Sequence, residues 1–152
     1  MSEEPYMKLK SPLTGKLVSM SDVKDPVFSQ KMMGDGFAIV PSTNEVVSPV
    51  DAMIEVLYPT GHAIGLRTAD GIELLIHLGI DTVKSKSNSF KLLKHVGDSV
   101  KAGEPIIQMN LKQLLKEGYD MTTPIVFLTG QKLKGLESKN ISLLDDIEIE
   151  FM

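Results

Sequence analysis

The chain has 152 residues and a formal net charge of −4, with 42% hydrophobic and 24% charged residues. One domain typically takes roughly 100–200 residues, so we expect residues 1–152 to form a single domain with a flexible start at residues 1–8. The absence of cysteine excludes disulfides, cysteine-ligated zinc and thiol nucleophiles. No run approaches the roughly 20 apolar residues of a membrane span, the first residues lack the pattern of a signal peptide, and the acidic balance argues against nucleic-acid binding. We therefore expect a cytoplasmic protein without membrane insertion.

Short runs rich in β-branched and aromatic residues follow one another along the chain, separated by glycine and proline turns. They cover residues 15–20, 36–40, 45–50, 53–58, 63–68, 72–80, 106–110, 125–128 and 147–151. This spacing is typical of an all-β antiparallel sandwich or barrel. One helix is predicted over residues 110–119, with Asn110 as N-cap and Leu111, Leu114 and Leu115 on its buried face. We expect one or two short helices in all.

Part of the strand pattern occurs twice. Residues 11–17 (SPLTGKL) align with residues 48–54 (SPVDAMI), and residues 35–39 (DGFAI) align with residues 70–74 (DGIEL). Two copies are too few for a solenoid, which needs about three. We expect an internally duplicated strand motif whose two copies share one core.

A β-hairpin is predicted at residues 70–71, because Asp-Gly between two apolar runs favours a two-residue type I′ turn. This turn places Ile64 opposite His77 and His62 opposite Gly79. The two histidines are then diagonal neighbours on one face of the hairpin, within reach of each other. A three-residue loop would shift the register by one residue and place them on opposite faces.

The same register predicts the surroundings of His77. The other face of its strand is the core face, formed by Ile72, Leu74, Ile76 and Leu78. His77 shares its own face with Ile64, Leu66 and Leu75, which is an apolar setting. Two close imidazoles can bind a metal such as zinc, exchange protons near neutral pH, or act as a nucleophile through a neutral nitrogen. The alternative is two unrelated, partly buried histidines on a strand pair.

Six segments match, in chain order, the motifs of one known family. They are GDGFAIVP at 34–41, SPVD at 48–51, TGHA at 60–63, HLGIDTV at 77–83, VGDSVKAGEP at 96–105 and TPIV at 123–126. Together they resemble the glucose-type enzyme IIA component of the bacterial phosphoenolpyruvate-dependent sugar phosphotransferase system. The resemblance implies an antiparallel β-sandwich with a duplicated motif. It also implies a phosphotransferase component that accepts a phosphoryl group from the histidine phosphocarrier protein HPr and passes it to a cysteine of the sugar-specific enzyme IIB.

The resemblance assigns roles to residues of the two histidine motifs. His77 corresponds to the phosphorylated histidine, His62 to the second histidine that contacts the phosphoryl group, and Thr60 to the threonine that orients His62. A partner-docking surface is also implied, here formed by Asp25, Pro26, Val27, Phe28, Met32, Met33, Tyr58, Leu75, Asp81 and Val83. The relay needs no cofactor and no metal, although the two histidines could bind zinc adventitiously.

These roles agree with elementary chemistry. Phosphoryl transfer depends mainly on in-line positioning and on stabilisation of charge. An apolar setting favours the neutral, nucleophilic form of a histidine, and a second imidazole can donate an N–H to phosphoryl oxygens. An apolar docking surface excludes water, which limits hydrolysis of the phosphohistidine.

The chain departs from the family pattern after residue 83. Ser85, Ser87 and Ser89 stand before Phe90, where the family usually has a leucine and then glycines. This loop follows His77 and borders the implied docking surface, so the departure bears on the choice of partner.

Three other functions remain open at this point. Residues 97–104 resemble a hairpin of biotinyl or lipoyl carriers, which need a lysine at a tight turn, and Lys8 lies near the start of the chain. A zinc peptidase on a related duplicated fold needs a His-x-His pair, but position 79 is Gly79. A regulatory domain of the same fold would bind a transporter, kinase or transcription regulator according to its phosphorylation state.

Overall fold

The computed structural model describes residues 5–152, which contain thirteen β-strands and two short α-helices. The strands are β1 (Tyr6–Lys10), β2 (Gly15–Ser19), β3 (Gly36–Pro41), β4 (Glu45–Val47), β5 (Ala52–Leu57), β6 (Ala63–Arg67), β7 (Glu73–His77), β8 (Phe90–Leu92), β9 (Ser99–Val100), β10 (Pro105–Met109), β11 (Thr123–Phe127), β12 (Lys139–Ile141) and β13 (Asp146–Glu150). The helices are α1 (Pro26–Ser29) and α2 (Leu111–Lys116), and short 3-10 turns occupy Met20–Asp22 and Thr82–Lys84.

The strands form an antiparallel β-sandwich, which confirms the predicted fold class. The largest sheet has the order β12-β2-β3-β11-β7-β6-β5-β9, and smaller sheets have the orders β4-β10-β8 and β1-β13. Strand β7, which ends at His77, lies between β11 and β6 in the middle of the large sheet. In residues 5–152 no helix has the length and apolar character needed to cross a bilayer.

Strand β1 begins within the segment that the sequence analysis expects to be flexible. Tyr6, Met7 and Lys8 pair with Glu150, Ile149 and Glu148 of β13. The strand alternates polar residues with the buried Leu9, so one of its faces packs on the core. It is an edge strand because its sheet contains only β1 and β13. Residues 1–4 of the expected flexible segment lie outside the described residues.

Helix α2 begins as predicted but is shorter. The side chain of Asn110 accepts a hydrogen bond from the Gln113 backbone N–H at 3.2 Å, and Leu111 and Leu114 are buried. Leu115 is 54% exposed, so the prediction that it faces the core is wrong. In a helix of less than two turns, a residue next to Leu114 points about 100° away from it.

The main core lies between the sheets and includes the predicted core face of β7. Ile72, Leu74, Ile76 and Leu78 are each at most 1% exposed, as expected. A second, smaller apolar cluster contains Phe28 of α1, Ala63 of β6 and Leu75 of β7. His77 and Leu75 share the face of β7 opposite the core, so this second cluster is the support of the histidine site.

The hydrogen bonding confirms the first of the two predicted alignments, residues 11–17 with residues 48–54. The Ser11 hydroxyl donates to the Leu13 carbonyl at 2.7 Å, and the Ser48 hydroxyl donates to the Val50 carbonyl at 2.6 Å. The copies also bind each other reciprocally, because the Lys10 N–H donates to Pro49 and the Val47 N–H donates to Pro12. The two copies therefore face each other across an approximate two-fold axis.

The second predicted alignment, residues 35–39 with 70–74, is wrong. Strands β2 and β5 are equivalent in the repeat, and they pair with β3 and β6 respectively. The counterpart of β3 is therefore β6 rather than β7. The Asp-Gly pair stands at the start of a strand at residue 35 and in a hairpin loop at residue 70. The same dipeptide therefore adopts two different local structures.

Candidate functional site

The hairpin between β6 and β7 has a three-residue loop, so the predicted two-residue turn is wrong. The Thr68 N–H donates to the Ile72 carbonyl at 2.9 Å, and Gly71 adopts a φ of 89°. The Thr68 hydroxyl donates to the Asp70 carboxylate and accepts from the Ile72 N–H, which stabilises the wider loop. Thr68, two residues before Asp70, thus favours the three-residue loop with a left-handed glycine at its end.

The longer loop shifts the strand register by one residue. Ala63, rather than Ile64, lies opposite His77, and Ile64 lies opposite Ile76. Ile64 and Leu66 therefore face the main core, which contradicts the prediction that they share a face with His77. Only Leu75 of the three predicted apolar neighbours lies on the face of His77.

The two histidines are nevertheless adjacent. Their ring centroids are 5.3 Å apart, with the rings nearly perpendicular. His62 precedes β6 and follows a bend at Gly61, which has a φ of 78°. Because His62 lies outside the strand, strand alternation does not fix its side. The expectation that a three-residue loop separates the histidines is wrong for this reason.

The imidazole of His77 is held in one tautomer. Its Nδ1 lies 2.7 Å from the Gly79 carbonyl oxygen, which can only accept a hydrogen bond. Nδ1 therefore carries the proton, and in the neutral ring Nε2 has a free lone pair. The Phe28 ring packs against the imidazole at a centroid distance of 5.2 Å. The arrangement presents one nucleophilic nitrogen in an apolar setting.

The sequence does not predict that Gly79 orients His77 through its backbone carbonyl. It has a φ of 79°, and a Cβ there would lie 2.7 Å from Cγ2 of Thr82 and 2.8 Å from Sδ of Met121. The Ile80 N–H donates to the Asp120 carbonyl at 2.8 Å. These contacts fix the peptide whose carbonyl orients His77.

His62 is only 6% exposed. Its Nδ1 shares a hydrogen bond with the Thr60 hydroxyl, and its ring lies 5.0 Å from that of Tyr58. Burial lowers the pKa of His62, and the nearby His77 lowers that pKa further. His62 is consequently held in its neutral form near pH 7.

A cavity of about 320 Å³ contains both imidazoles. Its lining includes these residues of the predicted site: Asp25, Val27, Phe28, Met33, Tyr58, His62, Leu75, His77, Asp81 and Val83. Thr60 is hydrogen-bonded to His62, which lines the cavity. Pro26 is the first residue of α1, and Met32 lies in the turn that follows α1. Ala63 also lines the cavity and was missed, because the predicted register put Ile64 opposite His77. Residues 5–152 contain no group of three or more metal-ligating side chains.

Comparison with known proteins identifies the family. The model of the phosphoenolpyruvate-dependent sugar phosphotransferase system EIIA 1 family matches residues 7–133. The chain belongs to this family. It is therefore a phosphotransferase component of that system. This favours the phosphocarrier function over the three alternatives, which are a biotinyl or lipoyl carrier, a zinc peptidase and a regulatory domain.

Three similar proteins agree with this assignment. The glucose-specific EIIA component of Staphylococcus epidermidis is 38% identical over 135 residues, covering 89% of this chain and 81% of that protein. The glucoside-specific EIICBA component of Staphylococcus carnosus is 42% identical over 140 residues, covering 92% of this chain and 19% of that protein. The structure of glucose permease IIA from Mycoplasma capricolum matches with a TM-score of 0.89 and 31% identity, covering 98% of both chains.

The rim of the cavity in this enzyme IIA chain is apolar and exposed. Val27, Met32, Met33, Tyr58 and Val83 are all exposed large hydrophobic residues. Four of them line the cavity, and Met32 directly precedes Met33 in the chain. Exposed apolar side chains grouped around one cavity are typical of a protein-interaction surface. We refer to these five residues as the apolar rim.

Helix α1 positions one side of the apolar rim. The Asp25 carboxylate caps the helix by accepting from the Val27 N–H at 2.9 Å. The helix ends with Lys31 in the left-handed region, where the Lys31 N–H donates to Phe28 and the Met32 N–H donates to Val27. This pair of bonds is a Schellman motif, and it turns the chain so that Met32 and Met33 lie at the surface.

The serine loop that departs from the family pattern is tied to the end of α2. Ser85 and Ser87 lie 3.2 and 3.1 Å from Oε2 of Glu117, and Ser89 is hydrogen-bonded to Ser87. Each hydroxyl has one proton to donate, so Ser89 donates to Ser87 while Ser85 and Ser87 donate to the carboxylate. This serine clamp fixes the segment that follows Val83 of the apolar rim.

Proposed function

We propose that this enzyme IIA accepts a phosphoryl group from HPr on Nε2 of His77 and passes it to a cysteine of enzyme IIB during sugar uptake. The observation that carries the proposal is the hydrogen bond from Nδ1 to the Gly79 carbonyl, which leaves the Nε2 lone pair free. In the first step an Nε2–P bond forms and the N–P bond of phospho-HPr breaks. In the second step the cysteine thiolate forms an S–P bond and the Nε2–P bond breaks.

His62 is proposed to stabilise the transferred group. When the Thr60 hydroxyl donates to Nδ1, the neutral His62 ring carries its proton on Nε2. That N–H can then donate to a phosphoryl oxygen, since the two rings lie 5.3 Å apart. The lowered pKa of His62 supports this function, because a neutral ring has a defined donor and does not repel the cationic groups that a partner brings to the phosphoryl group.

The apolar rim is proposed to be the docking surface for both partners. Its side chains exclude water from the phosphohistidine, which limits hydrolysis between the two transfers. Asp25 and Asp81 line the same cavity and offer acidic groups to lysine or arginine side chains of a partner. HPr and enzyme IIB meet the chain in turn, so we expect it to act in the cytoplasm.

The proposal is tested by intact-protein mass spectrometry after incubation with phosphoenolpyruvate, enzyme I and HPr. One acid-labile phosphoryl group that maps to His77 is expected, and His77→Ala should abolish it. His62→Gln should still accept the group but transfer it poorly to enzyme IIB.

A matched control is His95→Gln, because His95 is highly exposed on another loop. This variant should behave as the wild type in both steps. A stable phosphoryl group in His77→Ala, or equal loss of acceptance in His77→Ala and His62→Gln, would contradict the assigned roles.

A further inference from the structure

Two methionines lie side by side on the apolar rim. Met32 is 69% exposed and Met33 is 41% exposed. Met33 also lines the cavity that contains both imidazoles. The Schellman motif at the end of α1 holds this turn at the surface, so both thioethers are open to solvent in the free protein.

These thioethers are the exposed sulfur atoms of the site. The chain has no cysteine, so no thiol of its own competes for an oxidant. Met20, Met109 and Met121 are buried. Met53 and Met152 are also exposed but do not line the histidine cavity, which makes them natural controls.

We propose that Met32 and Met33 form an oxidation-sensitive modification site that controls docking, with hydrogen peroxide as the oxidant. The sulfur lone pair attacks one peroxide oxygen, an S–O bond forms and the O–O bond breaks. The sulfur loses two electrons, and the peroxide is reduced to water. The product is methionine sulfoxide, which converts an apolar side chain into a polar one.

The consequence follows from the position of the residues and rests on the proposed function of the apolar rim. A sulfoxide oxygen is a strong hydrogen-bond acceptor that water solvates well. A partner that covers the rim must remove this water without supplying a matched donor, which is unfavourable. His77, His62 and Thr60 are untouched, so the chemical step itself is unchanged.

The expected kinetic signature is a rise in the KM for phospho-HPr of about tenfold, with a much smaller change in kcat. It is measured on the full chain before and after mild treatment with hydrogen peroxide. Peptide mass spectrometry identifies which methionines carry oxygen. Incubation with methionine sulfoxide reductases A and B should restore the original KM.

Two double variants separate the rim from the rest of the surface. Leucine is close to methionine in volume and cannot be oxidised. For each protein the measured quantity is the ratio of KM after treatment to KM before it. This ratio should fall to about one in Met32→Leu/Met33→Leu and stay at about ten in Met53→Leu/Met152→Leu.

The outcomes distinguish this inference from the function on which it rests. Wild-type protein that carries sulfoxides at Met32 and Met33 with an unchanged KM would overturn the modification site alone. A Met32→Leu/Met33→Leu protein that is as sensitive to peroxide as the wild type would also overturn it. Untreated protein that accepts no phosphoryl group on His77 would instead contradict the proposed function.

Discussion

At the scale of single residues, two neighbouring imidazoles are made chemically different by their hydrogen-bond partners. His77 is fixed by a carbonyl acceptor, whereas His62 is fixed by a hydroxyl. A carbonyl oxygen can only accept a hydrogen bond, so the histidine nitrogen that faces it must carry the proton. A hydroxyl can donate or accept, so it is compatible with either tautomer. This difference supports the proposed roles of His77 as the nucleophile and His62 as the supporting donor, and neither role is visible in the sequence without the family resemblance.

The Thr60 hydroxyl should matter for the rate rather than for binding. Thr60→Val removes the hydrogen bond to His62 while keeping the shape of the side chain. We expect kcat for phosphoryl transfer to fall about tenfold, which corresponds to about 1.4 kcal/mol and to one hydrogen bond. The KM for HPr should change little. Thr60→Ser restores the hydroxyl and should recover most of the rate, and a Thr60→Ser variant as slow as Thr60→Val would argue against an orienting hydroxyl.

The lowered pKa of His62 also makes a prediction about stability. Its pKa in the folded chain lies below the unperturbed 6.5, so below about pH 6.5 the unfolded chain binds the proton more readily. The free energy of unfolding is therefore highest above this pH, decreases as the pH falls towards the folded pKa, and stays lower beneath it. Denaturant titrations between pH 8 and 5 should show a steeper loss in the wild type than in His62→Gln. Identical slopes in the two proteins would contradict the lowered pKa.

At the scale of elements, the sequence predicts the β6–β7 hairpin but not its register. The Asp-Gly pair and the alternating run from Ile72 to Leu78 are sufficient for a hairpin with one core face. The register depends on whether Thr68 joins the loop through its own side chain, which a count of turn residues does not weigh. The short strands β8, β9 and β12 also escape prediction, because two or three residues are too few to show a measurable alternation.

The position of His62 shows what the family resemblance adds to periodicity. Strand alternation with the observed three-residue loop would separate the histidines. The bend at Gly61 instead carries His62 out of the strand and beside His77. A Cβ at Gly61 would lie 2.7 Å from Cβ of Phe90, so the close approach of β8 requires glycine there. Long-range packing of this kind has no local signature in the chain.

The serine clamp gives a prediction for the loop after His77. Glu117→Ala removes the acceptor that Ser85 and Ser87 share, and this frees the segment next to Val83. Exposed hydrogen bonds of this kind contribute little each, so we expect a KM for HPr about three times higher with kcat unchanged. Amide hydrogen exchange at residues 84–87 should become faster. Glu148→Gln, an exposed change on β13, is the control and should alter neither quantity.

At the scale of the whole molecule, the duplication organises the fold around its approximate two-fold axis. The Gly103 N–H donates to the Ser48 carbonyl, and the Leu144 N–H donates to the Ser11 carbonyl. Gly103 and Leu144 are therefore equivalent positions, with φ angles of 91° and 72°. The repeat SPLTGKL/SPVDAMI predicts that two copies exist. It does not predict this second pair of loops, because glycine and leucine share no sequence signature.

The two equivalent loops meet each other, and this contact can be tested by a double-mutant cycle. A Cβ at Gly103 would lie 3.0 Å from Cδ2 of Leu144, whereas a Cβ at Gly97, with a φ of 92°, would meet nothing within 4 Å. Both Gly103→Ala and Gly97→Ala should lose about 1–2 kcal/mol from backbone strain in the left-handed region. Gly103→Ala should lose about 0.5–1 kcal/mol more, because the Leu144 side chain must move away. In a Leu144→Ala background that additional loss should disappear, while the loss from Gly97→Ala should not change.

Urea unfolding of the five variants measures the cycle. Additive losses for Gly103→Ala and Leu144→Ala would show that the two copies are not in tight contact at this axis.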